Sequence, residues 1–141
     1  LDQVTDPQNV GAIIRSCAAF GADALIMQDK NAPAESGAMV KASAGTIEFL
    51  PVCRVTNLSR AIEHLKKACF WVAGMDGYET TIDKMNKNGR IAIVMGSEGK
   101  GMRRLVEESC DETVKLPIDA RVESLNVSTA AAIALYEMSR E

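Results

Sequence analysis

Metal ligands and catalytic histidines are scarce in this chain. It has one histidine, His64, and four cysteines, none of which forms a C-x-x-C pair. The chain therefore offers too few histidine and paired cysteine side chains for a zinc site or a histidine-based catalytic triad. His64 lies in a helical pattern and is predicted to be a surface side chain. Buried free thiols in a reducing cytoplasm are the expected state of the cysteines, which are Cys17, Cys53, Cys69 and Cys110.

The chain also lacks long apolar runs and a recognisable signal peptide. No stretch approaches the roughly 20 apolar residues of a membrane span, and no secretory pattern is visible, so we expect a cytoplasmic protein without a membrane partner. Its 141 residues, 47% hydrophobic and 25% charged, predict one globular domain over residues 1–141. The sequence opens at Leu1, and Asp2 resembles the end of a strand, so we expect a segment upstream.

An excess of positive charge is missing as well. The net charge is −3 and the pI is about 5.3, which argues mildly against this chain alone gripping a nucleic acid backbone. Local basic groups exist at Lys66–Lys67, around Lys84–Arg90 and at Arg103–Arg104. Each is interpreted as a solvated helix or loop face.

Short apolar strands alternate with helical patterns along the chain. Two predicted strands, 70–74 and 91–95, are apolar throughout, as expected for strands that are covered on both faces. The alternation predicts an α/β fold in which a parallel sheet carries helices on both faces. The predicted strands are 24–28, 49–53, 70–74, 91–95 and 114–118.

Helical periodicity marks the segments between these strands. Asp6 is a predicted N-cap, Pro7 suits the first helical position, and Gly21 suits the end of the first helix. The last helix, roughly 126–139, is rich in alanine and is predicted to pack closely against a sheet or a partner subunit. The apolar stripes are Val10, Ile13, Ile14, Cys17; Leu58, Ala61, Ile62, Leu65; and Met102, Leu105, Val106.

Three segments concentrate glycine, amide, hydroxyl and charged residues. They are DPQNVGAIIRS at 6–16, MGSEGKGM at 95–102 and LPIDARVESLNVS at 116–128. Ligands of open parallel sheets bind outside the carboxyl ends of strands, and the second and third segments follow predicted strands. A fold that returns the chain to one point would join all three segments in one site.

The second segment is a glycine-rich loop between a strand and a helix. Its order of residues is neither the phosphate-binding G-x-x-x-x-G-K-[ST] nor the dinucleotide G-x-G-x-x-G. Glu98 would repel a phosphate, so a cationic or neutral ligand fits the loop better. A glycine-rich turn without chemical purpose is the alternative.

The other two segments also allow structural readings. Helix capping explains one of Ser124, Asn126 and Ser128, but it does not require all three. Asn9 and Arg15 are about 120° apart on a helix, so they would flank a shared site. Taken alone, Arg15 is typical of a surface arginine.

Together the three segments resemble the signature of the SpoU/TrmH family of RNA ribose 2′-O-methyltransferases, within the SPOUT class. NVGAIIRS, VMGSEGKGM and LPIDARVESLNVS match its three motifs in order and spacing, and the resemblance covers essentially all 141 residues. RVTNLSRAIEHL is also similar to the bacterial enzymes that methylate a guanosine ribose of large-subunit ribosomal RNA.

The resemblance implies a deep trefoil knot near the C-terminus, S-adenosylmethionine as cofactor, no metal, and a homodimer joined through the first and last helices. It also implies an N-terminal RNA-binding domain that this chain lacks, and RNA as substrate, ribosomal rather than transfer RNA. Carried over by position, the cofactor-binding residues are Gly74, Gly96, Leu116, Ile118 and Leu125. The catalytic residues carried over are Asn9, Arg15, Glu98, Ser124 and Asn126.

Other functions are compatible with the same sequence. A transfer RNA ribose methyltransferase would share the motifs. A cofactor-binding dimerisation module, inactive without its missing domain, would fit the acidic pI. An ordinary unknotted nucleotide-binding domain would instead bind ATP or NAD and tolerate changes near Leu125.

Overall fold

The computed structural model describes residues 1–77 and 79–140. Helices and strands alternate as expected, with two short 3-10 helices at Thr46–Glu48 and Ile82–Lys84. The helices are α1 Pro7–Ala19, α2 Gly37–Ser43, α3 Leu58–Lys67, α4 Arg104–Ser109 and α5 Val127–Ser139. The strands are β1 Leu25–Gln28, β2 Val52–Val55, β3 Phe70–Met75, β4 Arg90–Val94 and β5 Glu112–Val114.

All the strand pairs are parallel, but they form two sheets rather than the single predicted sheet. β1 pairs with β2, and β3 lies between β4 and β5. An apolar cavity of about 550 Å³ lies between β1 and β4. The first two residues connect the sheets, because the Leu1 nitrogen donates to the Ile26 carbonyl at 2.6 Å and the Asp2 N–H donates to the Met95 carbonyl at 2.8 Å.

Helices cover both faces of the strands. Successive residues of a strand point to opposite faces, and Val72 and Ala73 of β3 accordingly belong to different core clusters. Val72 packs with α3 and α4, whereas Ala73 packs with Ala134 of α5. A further cluster joins α1, α5 and β1. The predicted α/β architecture with parallel strands between helices is therefore confirmed.

Local signals set the ends of α1 as predicted. The Asp6 carboxylate accepts the Gln8 N–H at 2.9 Å, and Pro7 occupies the first helical position. The helix ends before Gly21, whose φ of +76° lies in the left-handed region. Packing requires glycine at Gly11, where an added Cβ would lie 2.4 Å from the Met39 carbonyl oxygen of α2.

The predicted strand 114–118 is wrong in its bounds. β5 ends at Val114, and the chain then turns, because the Ile118 N–H donates to the Leu116 carbonyl at 2.9 Å. Pro117 has no N–H for a strand ladder. The predicted strand 49–53 is likewise displaced, since β2 begins only after Pro51.

The cysteines are free, as expected, but of the four only Cys17 is buried. Cys17 is buried, whereas Cys53 and Cys69 are exposed. Cys53 lies in β2, an edge strand with one sheet neighbour, and Cys69 lies in the turn before β3 with φ +67°. The prediction of four buried thiols is therefore wrong for these two positions, and Cys110 is only half-buried. His64 is exposed on α3, as predicted.

Candidate functional site

The carboxyl ends of three strands lie side by side at one edge of the larger sheet. Gly74 of β3 is in register with Val94 of β4 and with Thr113 of β5. The segments that follow these strands therefore leave the sheet together, including the glycine loop and the third motif. This edge is where ligands of parallel α/β sheets bind.

The glycine loop is a closed turn that needs its glycines. The Ser97 N–H donates to the Gly101 carbonyl at 3.1 Å, and the Gly101 N–H donates back to the Ser97 carbonyl at 2.8 Å. Gly99 and Gly101 have φ of +82° and +68°, which other residues rarely adopt. A Cβ at Gly96 would lie 2.3 Å from the Gly101 carbonyl carbon. The loop is therefore a defined structure and not a loose connection.

Gly74 allows this loop to pack against the end of β3. A Cβ at Gly74 would lie 2.5 Å from Cε of Met102 and 3.2 Å from Sγ of Cys110. The end of β3, the exit of the glycine loop and the end of α4 thus meet at one point. Two of the predicted cofactor-binding positions, Gly74 and Gly96, therefore both lie against the end of the glycine loop at Met102.

The third motif is an irregular segment that leads into α5. Its exposed apolar side chains, Ile118 at 39% and Val122 at 47%, face solvent in this chain. Arg121 donates two side-chain hydrogen bonds to the Asp119 carboxylate, and this arginine lowers the pKa of Asp119. Leu125, which precedes Asn126, is half-buried.

Asn126 joins the first and third motifs. Its side-chain N–H donates to the Asn9 side-chain oxygen at 3.3 Å, across 117 positions of sequence. Its oxygen caps α5 by accepting the N–H groups of Ser128 and Thr129. The Ser128 hydroxyl donates to the same oxygen. Capping therefore accounts for Asn126 and Ser128, but not for the contact with Asn9.

The remaining predicted catalytic residues do not join this contact within one chain. Arg15, Glu98 and Ser124 are all exposed. Across residues 1–77 and 79–140, none of these three side chains has a hydrogen bond or an ion pair. The Glu98 side chain thus contacts neither Asn9 nor Arg15 through a hydrogen bond or an ion pair in the isolated chain.

Sequence reasoning missed a polar group beside the glycine loop. Asp2 is fully buried, and its carboxylate accepts the backbone and side-chain N–H groups of Arg103. Arg103 is exposed, as its predicted solvated face requires, but sequence reasoning did not foresee its ion pair with Asp2.

The chemistry at this edge suits a positively charged organic ligand better than a phosphate or a metal. The unpaired carboxylate of Glu98 would repel a phosphate, and apolar side chains of the third motif lie exposed. Within the described ranges, no group of three or more His, Cys, Asp or Glu residues could hold a metal ion. The residues present therefore fit a sulfonium cofactor.

In the part of the chain that the structure covers, no helix is long and apolar enough to cross a membrane.

Parallel strands, covering helices and a glycine loop at the carboxyl edge define the class of ligand-binding α/β proteins. The model of the SpoU rRNA methylase family matches residues 1–136, and the chain belongs to this family.

Named relatives agree with this membership. The chain is 46% identical over 142 residues to the 23S rRNA (guanosine-2′-O-)-methyltransferase RlmB of Coxiella burnetii, covering 100% of this chain and 57% of that protein. It is 40% identical to an uncharacterized tRNA/rRNA methyltransferase of Synechocystis, covering 100% of this chain and 37% of that protein. The chain thus spans little more than half the length of the first and less of the second.

A solved structure has the same fold. The SpoU methyltransferase AviRb from Streptomyces viridochromogenes, crystallised in complex with AdoMet, superposes with a TM-score of 0.87 at 28% identity. The match covers 96% of this chain and 56% of that one. The observed α/β architecture is therefore that of a SpoU methyltransferase.

Proposed function

We propose that this chain is the catalytic domain of an enzyme that transfers a methyl group from S-adenosylmethionine to a ribose 2′-hydroxyl in RNA. The observation that carries the proposal is the Asn9–Asn126 hydrogen bond, which joins the first and third motifs across 117 positions of sequence. Met95, which precedes the glycine loop, and Val127, which follows Asn126, belong to the same core cluster.

Backbone groups at the carboxyl edge would hold the cofactor. The positions are those carried over from the family, at Gly74, Gly96, Leu116, Ile118 and Leu125. When bound, S-adenosylmethionine supplies a methyl group already activated on a sulfonium, which removes the need for a metal. The chain must then place a hydroxyl behind that methyl group, and positioning alone can contribute several kcal/mol.

Arg15 is the residue assigned to the reacting hydroxyl. An arginine keeps its charge at physiological pH, so it is a poor proton acceptor. It would instead bind the neighbouring RNA phosphate through two parallel hydrogen bonds and stabilise the developing alkoxide, with the proton passing to phosphate or water. Its exposed and unpaired state in the described chain leaves its guanidinium free for this role.

The amide and hydroxyl residues would orient the reactants. Asn126 is held by its cap to α5 and by its contact with Asn9, so both amides are fixed before any ligand arrives. Ser124 is exposed and lies two residues before Asn126. It would be the third side chain that holds the ribose and the polar tail of the cofactor. Glu98 would fix the loop or Arg15 once the site is assembled.

A homodimer and a trefoil knot belong to the same proposal. α5 presents two exposed apolar side chains, Tyr136 at 51% and Ile133 at 43%. Tyr136 also contacts the half-buried Phe20, the C-cap of α1, edge to face with ring centroids 5.6 Å apart. Burying this surface against a second copy would bring a second Arg15 near the site. The threading of the C-terminal segment into a knot would shape the cofactor pocket.

The RNA substrate is proposed from the relatives. One is named for 23S rRNA guanosine and another for tRNA/rRNA, so a guanosine of large-subunit ribosomal RNA is the first candidate and a transfer RNA the second. An N-terminal RNA-binding domain outside this chain would select the nucleotide. Such an enzyme would act in the cytoplasm, where ribosomal RNA is processed.

A second candidate is a cofactor-binding dimerisation module without turnover of its own. The net charge of −3 favours it for this chain, because RNA binding requires clustered basic groups. Calorimetry with S-adenosylmethionine, followed by tritium transfer to total RNA, separates the two. Binding with transfer supports the enzyme, binding without transfer supports the module, and no binding contradicts both.

A further inference from the structure

Asp2 is a buried carboxylate that the chemistry above does not use. Its side chain is 0% exposed. Its Oδ2 accepts the Arg103 backbone N–H at 2.7 Å, and its Oδ1 accepts Arg103 Nε at 2.8 Å and lies 2.8 Å from Nη2. The Arg103 side chain is 48% exposed, and an ion pair with a half-exposed partner is by itself weak evidence for stability, so the structure that it fixes is the more informative feature.

The backbone of the same residue holds the other end of the glycine loop. The Asp2 N–H donates to the Met95 carbonyl at 2.8 Å, and Asp2 pairs in parallel with Gly96. The loop begins at Gly96 and is complete at Arg103, the residue that precedes α4. One residue therefore fixes both the entry and the exit of the loop.

Asp2 binds the residue at the start of helix α4. Arg103 is the N-cap of α4, yet no side-chain cap bond comes from Arg103 itself. The Asp2 carboxylate accepts the N–H of that residue instead. Because glycines lose much conformational freedom when ordered, a loop with three of them needs such an anchor at its end.

Gln28 extends this group to the smaller sheet. Arg103 Nη2 donates to the Gln28 side-chain oxygen at 3.3 Å, and the Gln3 N–H donates to the same oxygen at 3.2 Å. Gln28 is 3% exposed and ends β1. Arg103, at the end of the loop, is thus hydrogen-bonded to Gln28 of the smaller sheet and to Asp2, whose backbone pairs with the residues that follow β4 of the larger sheet.

We propose that Asp2 and Arg103 are positioning residues that set the geometry of the Gly96–Met102 loop for cofactor binding. They act through the loop, by fixing the backbone of Gly96 and the placement of Glu98. This inference rests on the proposed function and adds to it two residues that lie outside the carried-over site.

Calorimetric titration of S-adenosylmethionine into three variants tests the proposal. Asp2→Ala removes the acceptor and is expected to raise the Kd at least about tenfold. Asp2→Asn keeps the shape of the side chain but loses its charge, so its Kd is expected to lie between those of the wild type and Asp2→Ala. This variant tests the proposal if Asp2→Ala does not fold. Arg103→Lys keeps the backbone N–H but loses the paired Nε and Nη2 donors to Asp2 and Gln28, so its Kd should rise by about threefold or more, though less than that of Asp2→Ala.

A matched control separates positioning from general stability. Asn57 caps α3 by accepting the Arg60 N–H at 3.0 Å, so Asn57→Ala removes a helix cap elsewhere. Amide hydrogen exchange should accelerate at Ser97 and Gly101 in the Asp2 variants but not in Asn57→Ala. Equal Kd values for Asp2→Ala and Asn57→Ala, or exchange that accelerates evenly over the chain, would overturn the inference.

The two proposals fail differently. If the wild-type chain does not bind S-adenosylmethionine, the proposed function is wrong. The exchange experiment, which needs no ligand, still decides whether Asp2 holds the loop. If the wild type binds and the Asp2 variants bind equally well, the positioning role is wrong and the proposed function stands.

Discussion

At the scale of the residue, the site combines fixed and free side chains. Asn9 and Asn126 hold each other at 3.3 Å, whereas Arg15 has no partner in the part of the chain that the structure describes. A residue fixed before the ligand arrives loses little entropy on binding. A free, exposed arginine is available to a phosphate that only the substrate supplies.

Arg15→Lys is expected to lower methyl transfer by about 100-fold or more, because lysine cannot offer a planar pair of donors to phosphate and alkoxide. Tritium transfer under saturating cofactor measures this, and the Kd for S-adenosylmethionine should change little. Arg60→Lys, on the exposed side of α3, is the matched control and should be silent. Near-normal transfer by Arg15→Lys would rule out the role of the guanidinium.

Asn126 has two functions that substitutions can separate. Asn126→Ala removes the cap of α5 and should lower the free energy of unfolding by about 1 kcal/mol. Asn126→Asp keeps a cap acceptor but cannot donate to Asn9, so its stability should be near that of the wild type while its transfer rate falls. Urea unfolding and tritium transfer give the two readouts. Equal loss of stability in both variants would contradict this separation.

Thiol reactivity should follow burial. Burial raises the pKa of Cys17 and of Cys110 to about 11, so few of these thiols are ionised at pH 8. Cys53 and Cys69 are exposed and should react first with iodoacetamide, as read by mass spectrometry of peptides. Labelling of Cys17 before Cys53 in the folded protein would contradict the described packing.

At the scale of the element, local signals were predictable and non-local pairing was not. Asp6, Pro7 and Gly21 set the ends of α1 through contacts within a few residues, so the sequence was sufficient there. β5 depends on its pairing with β3, which the sequence pattern does not show, and the predicted strand 114–118 extends too far although Pro117 is a local signal against a strand there. Cys53 appeared buried because its strand is apolar, although its edge position exposes it.

The same contrast applies to the candidate site. The motifs were visible as clusters of glycine, amide and hydroxyl residues, and the contact of Asn9 with Asn126 agrees with their expected convergence. The bonds of Asp2 to Arg103 span 101 positions, and no local pattern encodes them. Arg103 therefore resembled an ordinary surface arginine until the fold placed a buried carboxylate beside it.

An ion pair links α5 to the connection between β3 and β4. Lys87 binds Glu137, and this hydrogen bond lowers the pKa of Glu137 below its usual 4.5. A carboxylate whose pKa is lower in the folded state stabilises the fold above its unfolded pKa, and this stabilisation is lost as the pH falls through the folded pKa.

Glu137→Gln should consequently be less stable than the wild type at pH 7, and the difference should shrink below pH 4.5. Urea unfolding at a series of pH values measures the two curves. Glu108→Gln, which alters an exposed pair with Arg104, is the control. A difference that grows as the pH falls would contradict the assigned sign.

At the scale of the whole molecule, the exposed surface of α1 and α5 is the proposed dimer contact. Ile133→Asp should convert the dimer to a monomer, because a charge buried in an apolar interface is costly. Size-exclusion chromatography with light scattering measures the mass. Leu105→Asp changes a side chain on α4 that is 60% exposed and should leave the mass unchanged. A monomeric wild type, or a dimer that survives Ile133→Asp, would exclude this surface as the contact.

The central claim is that three distant segments form one pocket for a methyl donor. A crystal structure of this chain with S-adenosylmethionine tests that claim most directly. We expect the cofactor at the carboxyl edge of β3, β4 and β5, in contact with backbone groups of Gly96, Leu116 and Leu125 and within reach of Asn126. A cofactor bound in the cavity between β1 and β4, or at any surface away from the glycine loop, would contradict it.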